Sequence, residues 1–221
     1  MKVSVLGTGM VGKTIAKKLQ DLGHHVFMGT RNPQKTLQTN EKFAAWKAEN
    51  PGIELLSFAD SVAESESLVF NCTGGMISLT VLESVGSEIL AGKILVDIAN
   101  PLDFSQGMPP GLNPVNTDSL GEQIQAAYPE LKVVKTLNTM NANIMVNPAL
   151  VPGNHSVFVS GNEENAKEKV KELLQSFGWA AENIIDLGDI TTARGSEMLL
   201  PIWLRLWNAL GTANFNFHIQ Q

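Results

Sequence analysis

Apolar residues follow two spacings along this chain, and the two alternate up to about residue 190. Short runs rich in Val, Ile, Leu and Phe indicate buried strands, and apolar residues three or four positions apart indicate helices with one apolar face. The runs predict strands in KVSVL, HHVFMGT, GIELLSF, LVFNCT, ILVDIAN, KVVKTLN, HSVFVSG and ENIIDLG. Most segments between them have helical spacing. We therefore predict an α/β fold, a Rossmann-type, doubly wound, mostly parallel sheet with a C-terminal helical extension.

The final stretch is apolar on most of its faces. Residues 191–210 predict one long helix, which Pro201 should kink. One face can pack on the sheet, and the other needs a second subunit, a bound ring, or burial within the same chain. We predict a homodimer. The expected division is a nucleotide-binding domain over residues 1–189 and a C-terminal helix and tail over 190–221, packing on the sheet or on a partner subunit.

The most specific motif follows the first strand. GTGMVG places glycines at positions 7, 9 and 12 between a strand and a helix, which is the setting of a dinucleotide-binding turn. Gly7 should permit the tight turn, Gly9 should let a pyrophosphate approach the backbone, and Gly12 should let the helix pack closely on the strand. The N–H groups at the start of the helix would then face the phosphates. The alternative is an ordinary glycine-rich turn.

The end of the second strand carries positive charge where an NAD site carries an acid. In VFMGTRNPQK, Thr30 can donate to a phosphate oxygen, Arg31 can bind it through two N–H groups, and Lys35 adds a charge from the next turn. A carboxylate at this place would repel a 2′-phosphate. The cluster therefore favours NADP over NAD, with a solvated basic loop as the alternative.

Ligands of such sheets bind beyond the carboxyl ends of the strands. Strands four, five and six end in NCTG, DIANP and LNTMN, whose small and amide side chains suit a ribose and a nicotinamide carboxamide. Cys72 has no histidine near it in sequence, so we expect a core thiol and not a nucleophile. No strand end offers an evident general base, and we assign no catalytic residue. Hydride transfer between two cofactor rings needs mainly alignment.

Composition bears on the class of protein and on its location in the cell. The 221 residues are 43% hydrophobic and 17% charged with a net charge of −6, which argues for one large core and against a nucleic-acid surface. The single cysteine, the early first strand and the shortness of MLLPIWLRLWNALG favour a cytoplasmic protein without a signal peptide or membrane span. The four histidines are scattered, so we predict no metal site. The expected partner is a small-molecule cofactor or substrate.

VSVLGTGMVGKTIAKKLQDLGHHVFMGTRNPQK strongly resembles the archaeal and bacterial coenzyme F420-dependent NADP oxidoreductases, and also the cytosolic domain of the six-transmembrane metalloreductases. VDIANP, VVKTLNTMNA and TTARGSEMLLPIWLRLWNALG resemble further segments of the family, so the resemblance covers nearly the whole chain. The last of these segments, with Arg194, Glu197 and Pro201 in matching places, is the more specific. Members of the family exchange a hydride between NADP and a deazaflavin. The resemblance implies the same Rossmann fold and an NADP-dependent oxidoreductase.

The resemblance also implies site residues, taken over position by position. The pyrophosphate is expected at Gly7, Thr8, Gly9, Met10, Val11 and Gly12, and the 2′-phosphate at Thr30, Arg31 and Lys35. The rest of NADP is expected at Thr73, Gly74, Ala99, Asn100 and Pro101. A second ring is expected at Asn138, Thr139, Met140, Arg194, Met198, Leu199 and Pro201.

One segment departs from the family pattern. The deazaflavin enzymes have His-Thr-Ile-Pro where this chain has residues 138–141, Asn-Thr-Met-Asn, and that segment lies near the second ring. The hydride partner therefore stays open between coenzyme F420, FMN, FAD and an unrelated acceptor. Two other classes of function stay open as well. One is an NADPH-dependent reductase of a small imine or carbonyl, and the other is an NADP-binding sensor without turnover.

Overall fold

In a computed structural model that describes residues 1–220, the protein has ten strands, and eight of them form one large sheet. The strands are β1 (Lys2–Leu6), β2 (His25–Thr30), β3 (Glu54–Ser57), β4 (Leu68–Asn71), β5 (Ile94–Asp97), β6 (Leu102–Asp103), β7 (Gly111–Leu112), β8 (Lys132–Thr136), β9 (Val157–Gly161) and β10 (Ile184–Gly188). The large sheet has the order β10-β9-β8-β5-β4-β1-β2-β3, and β6 and β7 form a separate hairpin. All eight predicted strands are present, and the predicted Rossmann-type α/β fold is confirmed.

Helices cover both faces of the sheet. They are α1 (Met10–Asp21), α2 (Pro33–Thr39), α3 (Glu41–Glu49), α4 (Phe58–Glu64), α5 (Gly75–Val85), α6 (Ser87–Leu90), α7 (Leu120–Ala127), α8 (Ala142–Val146), α9 (Glu164–Phe177), α10 (Ala193–Glu197) and α11 (Leu200–Leu210). No helix within residues 1–220 combines the length and the apolar character that crossing a membrane requires.

The two faces of the sheet bury two apolar cores, because neighbouring residues of a strand point to opposite faces. In β5, Val96 packs with α1 and α9 in one core, whereas Leu95 packs with α5 and α7 in the other. In β8, Val134 and Val133 divide in the same way. This burial on both faces explains why the central strands read as continuous apolar runs.

Within the large sheet every strand pair is parallel except β8 with β9, which is antiparallel. Thr136, at the end of β8, lies opposite Val159, and Val134, earlier in β8, lies opposite Gly161 at the end of β9. The strand β9 therefore begins at the edge where β1, β4, β5 and β8 end. That edge also receives the C-terminal tail, because the N–H of Ser156 donates to the carbonyl oxygen of Phe217 at 2.8 Å.

The prediction of one long final helix is wrong. A 3-10 turn over Ile190–Thr192, α10, a turn at residues 198–199, and α11 take its place. Pro201 lies in the first turn of α11 and does not kink a helix interior. Proline has no N–H to donate to the carbonyl of Glu197 four residues earlier, so the helical hydrogen bonds cannot run through this point. Only Leu200 and Trp203 of α11 are buried in this single chain.

The start of the C-terminal segment packs into the core of the main sheet. Ile190 and Ala193 are buried in the same cluster as Leu120 and Ile124 of α7. The division at residue 189 stays a prediction. These contacts bear on it because they bury residues from beyond the division in the core of the main sheet. The sequence reading assigned no element to α2, α8 or the β6–β7 hairpin.

Candidate functional site

The glycine turn after β1 is tightly packed at two glycines and open at the third. Gly7 has φ +111°, and a Cβ on it would lie 2.7 Å from the carbonyl oxygen of Cys72. A Cβ on Gly12 would lie 2.1 Å from the carbonyl oxygen of Gly7, so α1 could not pack this closely on β1. A Cβ on Gly9 would meet no heavy atom of residues 1–220 within 4 Å. The space beside Gly9 and the half-buried Thr8 is therefore open to a ligand.

Helix α1 presents backbone donors to this open space. Gly9 precedes the helix and has no side-chain cap, and the N–H of Lys13 donates to the carbonyl of Gly9 at 3.0 Å as the first helical bond. The N–H groups of Met10, Val11 and Gly12 consequently have no acceptor within the helix. Such donors at the positive end of a helix bind anions. The geometry fits the pyrophosphate of a dinucleotide.

The end of β2 leaves two positive charges exposed. Arg31 and Lys35 form no ion pair within the described part of the chain, residues 1–220. The side-chain oxygen of Asn32 accepts from the N–H of Lys35 at 2.9 Å and thereby caps α2. Thr30 is 8% exposed, and its hydroxyl oxygen lies 2.9 Å from that of Thr36. Arg31 and Lys35 are the better placed of the three predicted residues to meet a phosphate.

A network of amides and hydroxyls joins the ends of β4 and β5. The side-chain oxygen of Asn71 accepts from the Thr73 hydroxyl at 2.6 Å, and its amide nitrogen donates to Asp97 at 2.8 Å and to Ser78 at 2.9 Å. Gly74 is the N-cap of α5 and is exposed, without a side-chain cap. The start of α5 is thus a second helix N-terminus at this edge of the sheet.

A second amide pair joins the ends of β5 and β8. Asn100 donates to the backbone carbonyl of Asn138 at 2.8 Å, and the Asn138 side chain donates back to the Asn100 side-chain oxygen at 3.0 Å. A Cβ on Gly75 would lie 2.1 Å from the carbonyl oxygen of Asn100. The loops after β4 and β5 therefore touch, and Gly75 is a requirement of the site that the sequence reading missed. Leu137, with φ +61°, redirects the chain after β8.

A buried cluster of three charges lies beneath these strand ends. The ammonium nitrogen of Lys135 in β8 is 2.6 Å from Asp97 Oδ2, 2.6 Å from the carbonyl oxygen of Ala99 and 2.7 Å from Glu197 Oε1. Burial alone would lower the pKa of Lys135, but the carboxylates of Asp97 and Glu197 outweigh burial, and the pKa is raised. The lysine is therefore a charged, fully bonded group and not a free base.

The residues predicted for the second ring fall into two environments. Asn138, Thr139 and Met140 are buried, at 3%, 2% and 6% exposure, and Met140 packs in the core below the sheet edge. Arg194 is held by Glu122 of α7 through contacts of 2.7 Å and 2.5 Å. The remaining members lie in the turn before α11 and at its start, where Met198 and Pro201 are exposed and Leu199 is half-buried.

Two open cavities lie on the surface of the chain. One, of about 520 Å³, lies between the tip of the β6–β7 hairpin and α11 and is lined by Met108, Pro109, Leu204 and Trp207 among others. The hairpin itself begins at Leu102, directly after Pro101. The other, of about 650 Å³, runs along α1 past Lys13 to Trp46 and lies beside the glycine turn, not over the strand ends.

Cys72 has the character of a core thiol. It packs against the core that contains β1 and β4. Burial, and secondarily the carboxylate of Asp97, raise the pKa of the Cys72 thiol. A neutral thiol is a poor nucleophile. Within residues 1–220, no group of three or more His, Cys, Asp and Glu side chains is arranged to hold a metal ion.

The sequence reading missed Lys135 and the role of Glu197. A signal was present, because a lysine in the middle of the apolar run KVVKTLN needs a buried partner. The partners could not be named in advance because they come from β5 and α10. Nothing in the linear sequence states which strands are neighbours.

Comparisons with known proteins identify the family of this chain. Residues 2–101 match the family model described as NADP oxidoreductase, coenzyme F420-dependent. A crystal structure from Arthrobacter sp. FB24, described as a candidate F420-dependent NADP reductase, is 62% identical to this chain, covers 100% of both chains and superposes with a TM-score of 0.97.

Curated relatives are more distant. The F420-dependent NADP reductase of Methanothermobacter marburgensis is 24% identical over 93% of this chain and 92% of its own length. Metalloreductase STEAP3 of Rattus norvegicus is 27% identical over 91% of this chain, which spans only 38% of that longer protein. The full-length 62% match and the family model agree. The chain belongs to the coenzyme F420-dependent NADP oxidoreductase family and is an NADP-dependent oxidoreductase.

Proposed function

We propose that this chain transfers a hydride reversibly between NADP(H) and a second planar ring, a deazaflavin of the coenzyme F420 type or a flavin. The chemistry of the strand ends carries the proposal. Thr73, Asn100 and Asn138 offer amides and a hydroxyl, and the ionisable groups Asp97 and Lys135 are buried and bonded to each other. Reduction of a carbonyl or imine needs a proton donor beside the hydride, whereas transfer between rings needs alignment.

The chain's own residues would hold NADP along the carboxyl edge of the sheet. The N–H groups at the start of α1 would bind the pyrophosphate across the open space at Gly9. Arg31 and Lys35 would bind the 2′-phosphate. Bound there, the cofactor supplies the hydride-carrying nicotinamide, and the segments at residues 73–74 and 99–101 would orient that half and exclude water.

In this proposal the second ring would lie in the cavity between the hairpin and α11. Met108 and Pro109 line one wall, and Leu204 and Trp207 line the other together with the polar Arg205 and Asn208. Apolar and aromatic walls suit the face of a planar ring. The turn at residues 198–199, which precedes α11, would bring this wall beside the nicotinamide. The residues that line this cavity, on the hairpin and the later turns of α11, differ from those predicted for the second ring.

Stopped-flow absorbance tests the proposal directly. NADPH is mixed without oxygen with coenzyme F420, FMN and FAD in separate experiments, and oxidation of NADPH is followed together with reduction of the acceptor. We expect transfer to at least one of the three. The variant Cys72→Ala should keep the rate within about twofold, since a neutral core thiol has no part in the transfer.

The absence of hydride transfer in this experiment would also be informative. If NADPH binds and none of the three rings is reduced, the proposal is wrong. A screen of small imines and carbonyls then separates the two rival functions. Turnover of such a substrate would identify a small-molecule reductase, and NADPH binding with no turnover at all would favour a sensor.

A further inference from the structure

The buried cluster of Lys135, Asp97 and Glu197 connects two parts of the site that the sequence keeps far apart. On one side, Asp97 accepts from Asn71 at 2.8 Å, and Asn71 accepts from the hydroxyl of Thr73 at 2.6 Å. Lys135 itself donates to the carbonyl of Ala99 at 2.6 Å. The cluster is therefore bonded directly to one strand-end segment at which the nicotinamide half of NADP is expected, at Ala99, and through Asn71 to the other, at Thr73.

On its other side the cluster holds the C-terminal segment. Glu197 Oε1 accepts from Lys135 Nζ at 2.7 Å and from the N–H of Gly121 at 3.1 Å, and Oε2 accepts from the N–H of Leu120 at 2.9 Å. Glu197 therefore ties β8 to the first turn of α7. The next residue, Met198, begins the turn that leads into α11.

The charges of the cluster do not balance, and burying them is costly. One ammonium faces two carboxylates, and the side chains of Lys135, Asp97 and Glu197 are 0%, 0% and 3% exposed. The positive end of α7 offsets part of the excess negative charge. Replacing such a cluster with apolar residues is often neutral or stabilising, so stability alone is a weak reason for its presence. Its bonds fix relative positions with a precision that apolar contacts do not impose.

We infer that Lys135 and Glu197 are positioning residues that couple the NADP-binding strand ends to the C-terminal turn at residues 197–200. NADPH bound at residues 73–74 and 99–101 holds the carbonyl of Ala99 and the carboxylate of Asp97 in place. Lys135 then holds Glu197, and Glu197 holds the turn on which the wall of the second ring depends. The inference rests on the proposed placement of the second ring, but its test needs no hydride acceptor.

The test is amide hydrogen exchange of the full chain, followed by mass spectrometry, with and without saturating NADPH. In the unmodified chain we expect NADPH to slow exchange of the amides at residues 197–200 at least tenfold, along with those at residues 9–12. The variant Glu197→Gln removes the coupling with little change in size. A glutamine has one acceptor oxygen, so its NH₂ must face either Lys135 or the N–H of Leu120, and one link is lost.

Two further variants complete the design. Lys135→Met cuts the link from the β8 side and leaves no lone buried ammonium. Asp186→Asn is the matched control, because Asp186 also pairs with two lysines, Lys167 at 3.0 Å and Lys171 at 2.9 Å, on the outer strand β10 away from the strand-end cluster. Glu197→Gln and Lys135→Met should reduce the response at residues 197–200 to less than about twofold while keeping that at residues 9–12. Asp186→Asn should keep both responses.

Two results would overturn the inference. One is an unmodified chain in which NADPH protects residues 9–12 and leaves 197–200 unchanged, a result that needs no variant to fold. The other is a Glu197→Gln chain in which residues 197–200 respond as in the unmodified chain, which would indicate direct contact with NADPH. Failure of the stopped-flow experiment with all three rings would overturn the proposed function and would leave this exchange result intact.

Discussion

At the scale of single residues, the three glycines of the turn after β1 are glycines for different physical reasons. Gly7 and Gly12 are glycines because neighbouring backbone occupies the place of a side chain, at 2.7 Å and 2.1 Å. Gly9 is open to the site and, with φ −73°, has an ordinary backbone conformation. The fold therefore requires Gly7 and Gly12, and only a ligand gives a reason for Gly9.

The same substitution at two of these glycines should separate binding from folding. Gly9→Ala should weaken NADPH binding at least tenfold and change the free energy of unfolding by less than about 1 kcal/mol, because the methyl group meets only the ligand's space. Gly12→Ala should destabilise the fold by about 1–3 kcal/mol, since the backbone must move to admit the methyl group. Calorimetric titration and denaturant unfolding measure the two effects. Unchanged NADPH affinity in Gly9→Ala would contradict the site.

The charges after β2 make a second prediction. The chain should bind NADPH at least tenfold more tightly than NADH, a difference of about 1.4 kcal/mol, because only NADPH offers a 2′-phosphate to Arg31 and Lys35. Arg31→Glu should abolish or invert this ratio by placing a carboxylate where the phosphate binds. Calorimetric titration with NADPH and with NADH measures the two affinities. Equal affinities in the unmodified chain would show that this basic pair is only a solvated surface.

At the scale of elements, the site depends on segments whose regularity is broken. The chain after β8 turns through Leu137 at positive φ, and the final helical stretch is interrupted before Pro201. Pattern analysis detected both stretches as elements and misjudged their ends. Helical spacing of apolar residues records which face is buried, and it does not record whether the backbone hydrogen bonds continue between two turns.

The contacts of α10 predict how the chain tolerates truncation. A chain ending at residue 189 loses Ile190 and Ala193 from the core and leaves Lys135 without Glu197. Breaking one partner of a buried charge pair typically costs about 3–5 kcal/mol, so this chain should unfold at a clearly lower denaturant concentration. A chain ending at residue 199 keeps those contacts and should lose less. Equal midpoints for the two truncated chains would instead support residue 189 as a true domain boundary.

At the scale of the whole molecule, α11 leaves an apolar surface on the single chain. Ile202, Trp207 and Leu210 are 48%, 46% and 56% exposed, while Trp203 is stacked on Phe215 of the C-terminal tail. An exposed set of large apolar side chains on one helix is typical of an interface or of a wall that a ligand covers. If this surface is an interface, it is the one through which the predicted homodimer would form.

Light scattering at micromolar concentration tests assembly. We expect twice the mass of one chain, and Leu210→Asp should shift the population towards the monomer because a carboxylate would be buried in the interface. The thermal unfolding of the isolated monomer should change little, since Leu210 is exposed in it. A monomer mass for the unmodified chain would refute the dimer and leave these side chains to the second ring.

The sequence alone determined what depends on neighbours in the chain. The eight strands, the glycine turn and the basic pair after β2 follow from spacing and from the residue types that a tight turn or an anion demands. These signals are local, so one chain segment contains each of them completely.

The tertiary structure decided everything that joins distant segments. It paired Lys135 with Asp97 and Glu197, brought Gly75 against Asn100, and turned β9 antiparallel to β8. The last of these follows from the connection between the two strands, whose one α-helix, α8, has 5 residues and does not carry the chain back across the sheet. A side chain's partner across a sheet depends on which strands are neighbours, and that order is a property of the folded molecule, because apolar burial fixes each strand's faces without naming its neighbour.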